Sequence, residues 1–425
     1  MGNLGLSFYL CLVFSVLSVS EFFIHGVVSK TYSGDIEGLK QFKKGINKAS
    51  MPPGSCLASW DFSLDPCDNI FSEHFTCGFR CDLIVSGKSR VTEITLDHPG
   101  YTGTLPSSTW NLSYLDNLDL TENHFIGSIP KSLSSLTRLR RLSLSRNSFS
   151  GEIPKSLGYL YSLEDLFLDN NQLKGRIPSS LNSLVSLKRL ELQQNKLNGE
   201  FPNLGYLRNL ILLDASDNEI SGSFPWTLPW SIVQISMRNN QFEGNLPENF
   251  KDLGNLQVMD LSHNRLSGNV LSVFFDHPSL QQLTLSHNKF NYVQVPWDLG
   301  TNSELIAVDL SNNEIQGFLP AFMAMMPRLS ALSMENNMFT GMIPTQYALK
   351  AVVPIMGVSP FVRLLLGGNY LFGPVPGPLL GLKQGVANVS LVDNCLYRCP
   401  ESFFFCRGRV QKSLLACKSF GPIIP

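Results

Sequence analysis

Eight of the nine cysteines in two sets of four (Cys11 lies apart, near the start), two histidines one period apart and recurring rows of charged side chains are the residues that could do chemistry in this 425-residue chain. Cys56, Cys67, Cys77 and Cys81 form one set; Cys395, Cys399, Cys406 and Cys417 form the other. In an oxidising compartment each set closes two disulfides, and spacing alone leaves all three pairings per set open. Zinc is the rival chemistry, because Cys77-x-x-x-Cys81 and Cys395-x-x-x-Cys399 have loose ligand spacing; an exported chain favours disulfides. Nucleophile, metalloprotease and dinucleotide signatures are absent. Gly87-Lys88-Ser89 matches the end of a phosphate-binding loop, but its required upstream glycine is Asp82. The chemistry to expect is therefore cross-linking and recognition, with no catalysis, cofactor or metal. A net charge of -1 gives nucleic acid no reason to bind.

Twelve asparagines position these groups: Asn123, Asn147, Asn171, Asn195, Asn218, Asn240, Asn264, Asn288, Asn313, Asn337, Asn369 and Asn394. Most steps between them are 24 residues, and one phrase returns around most of them. Leu139-Arg-Arg-Leu142-Ser-Leu144-Ser-Arg-Asn147 is followed by Phe149, Gly151, Ile153 and Pro154. This is the L-x-x-L-x-L-x-x-N-x-L signature of a leucine-rich-repeat solenoid, in the version that continues x-G-x-I-P. The fold expected is of the α/β class: a right-handed superhelix with a concave parallel β-sheet. The alternation Leu166-x-Leu168 marks a short strand whose leucines face inward. The asparagine side chain then bonds the peptide groups that a buried turn would strand. A degenerate first repeat (Val91, Ile94, Leu96) and eleven fuller ones give about 12, and a stub around Asn394 follows.

Both ends of such an array expose apolar core, and each needs a lid. The predicted organisation is a signal peptide over 1–20 with cleavage as late as 29, a cysteine-rich cap over 30–90, repeats over 91–394 and a cysteine-rich cap over 395–425. The leader rests on the uncharged apolar run Leu4 to Val19 and the small residues Ser18 and Ser20. Stacked strands advance by about 4.8 Å, which places the two cysteine sets roughly 55 Å apart and excludes bridges between them. In the first cap, Ser33 is predicted to cap a helix with Asp35 and Glu37 in its first turn. Ile36, Leu39, Phe42 and Ile46 mark its inner face, and Trp60 packs nearby.

The outward strand positions are the candidate binding site, since stacked strands hold side chains in fixed register. Repeats two and three offer Asp119, Arg141 and Arg146. Repeats four and five offer Glu164, Phe167, Lys188, Glu191 and Gln193. Later repeats add Asp214, Arg238, His263 and His287. Two readings stand. Neighbouring opposite charges compensate one another as a solvated face, or the face docks a partner with Phe167 as its apolar anchor. His263 and His287 fall in one column, one strand apart, where two imidazoles resist double protonation.

Three irregularities remain. Tyr292 stands where repeat nine should have glycine. About eight extra residues separate Asn337 from Asn369; their apolar stretch Ala351 to Val358 is expected to loop onto the convex face. Asn111-Leu-Ser113 and Asn388-Val-Ser390 are glycosylation sequons, with Asn111 on the return segment after the first strand.

The G-x-I-P variant, the paired cysteine caps, Leu57-Ala-Ser-Trp60 and Asp65-Pro-Cys67 together resemble the extracytoplasmic leucine-rich-repeat proteins of plants. These include polygalacturonase-inhibiting proteins and the ectodomains of receptor-like proteins and receptor-like kinases. The resemblance implies a secreted, extracellular or cell-wall recognition protein in plant signalling or defence, acting as a receptor-like module. It would be held at the plasma membrane surface, if at all, by a partner such as a membrane receptor kinase. The alternative it implies is an inhibitor of a secreted cell-wall hydrolase. After Cys417 only Lys418 to Pro425 follow, so no span or lipid anchor of its own is expected.

Overall fold

The computed structural model describes residues 30–354 and 356–420. The expected leader lies outside the described residues. Each repeat contributes one three-residue strand to a continuous sheet, from Glu93–Thr95 through Asn388–Ser390. All of these pair in parallel, in a register that repeats: Asp165, Leu166 and Phe167 face Arg189, Leu190 and Glu191. The short antiparallel strand Phe79–Arg80 of the cap closes the first edge against Glu93–Thr95. The central leucine of each strand is buried, as at Leu118, Leu142, Leu166 and Leu190, so one core runs the length of the array.

The asparagine ladder has the bonds that its position demands. Asn147 accepts from the Phe125 N–H at 3.0 Å, and its amide donates to the carbonyls of Leu120 at 2.9 Å, Leu144 at 3.3 Å and Ser145 at 3.0 Å. One side chain thus satisfies four peptide groups and ties its repeat to the one before. The ladder survives the long repeat, where Asn369 accepts from Phe339 at 3.1 Å. Immediately before each asparagine the backbone turns left-handed: φ is +56° at Glu122, +53° at Arg146 and +54° at both His263 and His287. Non-glycine residues pay about 1 kcal/mol or more for this, and the ladder bonds hold them there. The sequence pattern did not announce this turn.

The second sheet, on the descending side, breaks in two. Nine strands end at Lys289–Val293, and four more begin at Gln316–Phe318. The break falls at Tyr292. In the preceding repeat Gly268 occupies this slot with φ +78°, a conformation costly for a residue with a Cβ. Tyr292 avoids it: the pairing slips by one residue between Gly268 and Asn269, and the ring is half exposed. The strand leaves the sheet, and the next one starts afresh.

The caps complete one expectation and correct another. Disulfides join Cys56 to Cys77, Cys67 to Cys81, Cys395 to Cys417 and Cys399 to Cys406, with Cα–Cα distances of 4.8, 5.8, 5.9 and 5.7 Å. Ser33 does not cap its helix. It is the first helical residue of Ser33–Lys44, with Tyr32 at the cap and no capping side chain. What fixes this helix is Asp35. Its carboxylate accepts from Arg90 Nε at 2.9 Å, Arg90 Nη2 at 2.8 Å and the Val91 N–H at 2.8 Å, with the two side chains 0 % and 7 % exposed. Leu39, Phe42 and Ile46 are buried as expected, and Phe42 lies 6.2 Å from Trp60. Repeat eleven is lengthened by the helix Thr345–Val352, which takes in only Ala351 and Val352 of the expected apolar loop; the described residues of that stretch beyond Val352 are not helical, and Val353 and Met356 are exposed. Tyr347 and Lys350 are buried on the helix's inner side; the Tyr347 hydroxyl donates to Pro320 O at 2.9 Å, and Lys350 Nζ to Met326 O. Apolar residues at helical spacing make the inner face of this helix.

Candidate functional site

The concave sheet divides into two halves with different electrostatics. In repeats two to five the charges interlock across strands. Arg141 lies 3.7 Å from Asp119 and 3.6 Å from Asp165; Asp165 accepts two bonds from Arg189, at 2.7 and 2.8 Å. Glu164 takes Arg140 on one side and Lys188 at 2.6 Å on the other. Arg146 pairs with Glu122 at 2.7 Å. Arg140 and Lys188 hold the Glu164 carboxyl below its ordinary range, with Lys188 the larger influence. Exposed pairs of this kind are screened by water and are individually weak, but together they leave little uncompensated charge on this half.

Phe167 is not the exposed anchor expected of it. The ring is only 6 % exposed, covered by the guanidinium of Arg141 at 4.8 Å and of Arg189 at 5.1 Å. Its outward direction is as the strand period dictates; neighbouring arginines fold over it because the ring face attracts them and they cover its apolar area.

From repeat six onward the partners thin out. Asp214, Asp260 and Asp309 stand two strands apart, and each accepts from the N–H two residues ahead, at Ser216, Ser262 and Ser311. None has an ion pair among the described residues. Burial pushes the carboxyls of Asp214 and Glu191 up from their ordinary values. Gln193 donates to Glu191 at 3.2 Å, while its own oxygen has no partner. Arg238 is paired with Asp217 at 2.9 Å. His263 and His287 are stacked, ring centres 4.1 Å apart and planes 21° apart. Burial and then the neighbouring His287 lower the pKa of His263.

Two depressions mark the face. One, of about 650 Å³, runs along its N-terminal edge between Asp82, Tyr114, Asp116, Arg138 and Glu164. The other, of about 120 Å³, lies over the small side chains Ala307, Ala331 and Ser333, with Arg363 at its rim. Arg363 has no ion-pair partner among the described residues. Asp260, Asp309, Ser333 and Arg363 were not singled out from sequence. They occupy the same outward positions as those that were, so register could have found them. Asn111 and Asn388 are both exposed; Asn388 stands on the last concave strand, beside Arg363.

Comparison with known proteins agrees with this architecture. A family profile described as a leucine-rich repeat region matches residues 95–348. The chain belongs to the leucine-rich-repeat family. Among curated relatives, Receptor-like protein 35 of Arabidopsis thaliana is 32 % identical over 147 residues, covering 34 % of this chain and 15 % of the relative. Receptor like protein 27, from the same plant, is 34 % identical over 92 residues, covering 21 % and 10 %. The matches thus span a small part of those relatives' length. Of solved leucine-rich-repeat structures, the plant peptide hormone receptor RGFR1 in complex with RGF2 superposes with a TM-score of 0.64 at 28 % identity, covering 72 % of this chain and 48 % of that one. A TDR receptor gives 0.63 at 27 %, covering 72 % and 52 %. Among the described residues no helix is long and apolar enough to cross a membrane.

Proposed function

We propose that this chain is an extracellular, receptor-like recognition module that binds a peptide or protein on its concave face, in plant signalling or defence. The observation that carries the reading is the division of that face. Repeats two to five are charge-compensated, whereas repeats six to eleven present carboxylates and hydroxyls whose partners are few. Thirteen strands in register hold these groups rigidly, which lowers the entropy lost on binding. The solved receptor of similar fold was captured with a peptide hormone, and the cap disulfides suit an oxidising, extracellular site. The contact area would centre on repeats six to nine, where Asp214, Arg238, His263 and His287 meet.

The test is site-specific cross-linking in extracellular fluid. A photoreactive residue at the exposed concave position of Gln234 should capture a partner, whereas one at Lys155, on the convex short helix Lys155–Tyr159, should not. Capture from Lys155 and not from Gln234 would reject the concave face. The captured species separates the roles: a kinase ectodomain or peptide supports the receptor-like reading, and a pectin-degrading hydrolase the inhibitory one.

A further inference from the structure

The geometry points to an N-linked glycan on Asn388 as the occupant of the C-terminal end of the concave face, where it covers Arg363 and sets the limit of the partner site.

Asn388, Val389 and Ser390 are the last strand of the sheet, paired with Arg363, Leu364 and Leu365. Val389 is buried and Asn388 exposed, so the strand period sends the Asn388 side chain outward from the concave floor. Its amide makes no hydrogen bond among the described residues. That distinguishes it from the twelve ladder asparagines, whose amides are bonded to carbonyls of their own repeat and the one before. In those, the residue two places on is a buried Leu, Ile or Phe, so none completes a sequon. Asn388 has Ser390 there, and in an exported chain the motif Asn-x-Ser is an acceptor for N-glycosylation.

The register neighbour of Asn388 is Arg363, one strand spacing of about 4.8 Å away. The guanidinium has five donors and no acceptor or carboxylate among the described residues. A glycan rooted at Asn388 places acetamido and hydroxyl oxygens beside those donors. It therefore satisfies Arg363 from within the same chain and stands over the rim of the Ala307–Ala331–Ser333 depression. A protein partner would then be confined to the repeats ahead of it. This limit rests on the concave face being the binding face, but the glycan and its cover over Arg363 do not.

The test needs no partner. The full chain, secreted from a eukaryotic host, is mapped by glycopeptide mass spectrometry. It is then treated with phenylglyoxal, and adduct formation is followed at Arg363 and at Arg176, an exposed arginine of the second-sheet flank. Asn388 should carry a glycan. Arg363 should react severalfold more slowly than in Asn388→Gln or Ser390→Ala, with Arg176 unchanged. Wild-type chain produced under tunicamycin, which blocks N-glycosylation, gives the same comparison should either variant fail to fold. An unmodified Asn388, or equal Arg363 rates with and without the glycan, overturns the proposal.

Discussion

Arg189 closes on Asp165 through two hydrogen bonds, Nε to Oδ1 at 2.7 Å and Nη2 to Oδ2 at 2.8 Å, from the next strand of the sheet. Arg141 reaches the same carboxylate from the other side at 3.6 Å. Both arginines are about two-fifths exposed, so water and salt screen the pairs. A double-mutant cycle of Asp165→Ala and Arg189→Ala is expected to give a coupling of about 0.5–1 kcal/mol that shrinks in 1 M salt. A salt-independent coupling would mean that the ladder is more desolvated than its exposure indicates. Because this half is compensated, Arg141→Ala should weaken partner binding less than Gln234→Arg, read as the change in Kd.

The asparagine ladder makes a sharper demand. Removing the Asn171 side chain leaves the Phe149 N–H and the carbonyls of Leu144, Leu168 and Asp169 without its bonds. A buried peptide group left unsatisfied costs about 1–3 kcal/mol, and water can reach only part of this turn. Asn171→Ala should therefore cost about 3 kcal/mol in denaturant unfolding. The loss should appear as faster hydrogen exchange in repeats three and four before the ends of the array respond.

The Asp35–Arg90 pair joins the N-terminal helix to the edge of the first repeat. Arg90 also lies between the rings of Tyr32 at 4.3 Å and Tyr114 at 4.1 Å. Breaking a buried pair from one side strands the other charge, at about 3–5 kcal/mol. Arg90→Ala should detach the N-terminal lid, seen as earlier proteolysis between residues 30 and 50. Arg90→Lys should also destabilise, because an ammonium cannot make the forked contact. An unchanged cleavage pattern in Arg90→Ala would show that the disulfides alone hold the lid.

How far these features could be read from sequence depends on how local their causes are. The strands, the inward leucines and the asparagine ladder follow from a period that each repeat states for itself. The grouping of the cysteines was equally plain, since nothing inside the array competes with them. What escaped was set by contacts distant in sequence. Asp35 read as an ordinary first-turn acid, because its partner Arg90 lies 55 residues on. Phe167 read as exposed, because strand period gives direction and not what folds over a ring. The helix Thr345–Val352 ahead of the apolar loop was not foreseen, because Tyr347 and Lys350 find their acceptors one repeat earlier.

The carboxyls of Asp276 and Asp298 lie together beside the break in the second sheet. Burial first, then a hydrogen bond and repulsion from Asp298, push Asp276 up to about 7, while the shared bond holds Asp298 below its ordinary value. Asp298 is further fixed by the Gly300 N–H at 2.8 Å and the Asn302 amide at 3.1 Å. In the unfolded chain Asp276 titrates near 3.9. Between about pH 4 and 7 the folded state therefore binds more protons, and its stability falls as pH rises through that window. Asp276→Asn keeps a donor toward Asp298 and removes the second charge. It should raise the unfolding midpoint at pH 8 and change it little at pH 5, in melts at both pH values. An equal gain at both would show that the shared proton contributes nothing, and that the side chain acts through packing alone.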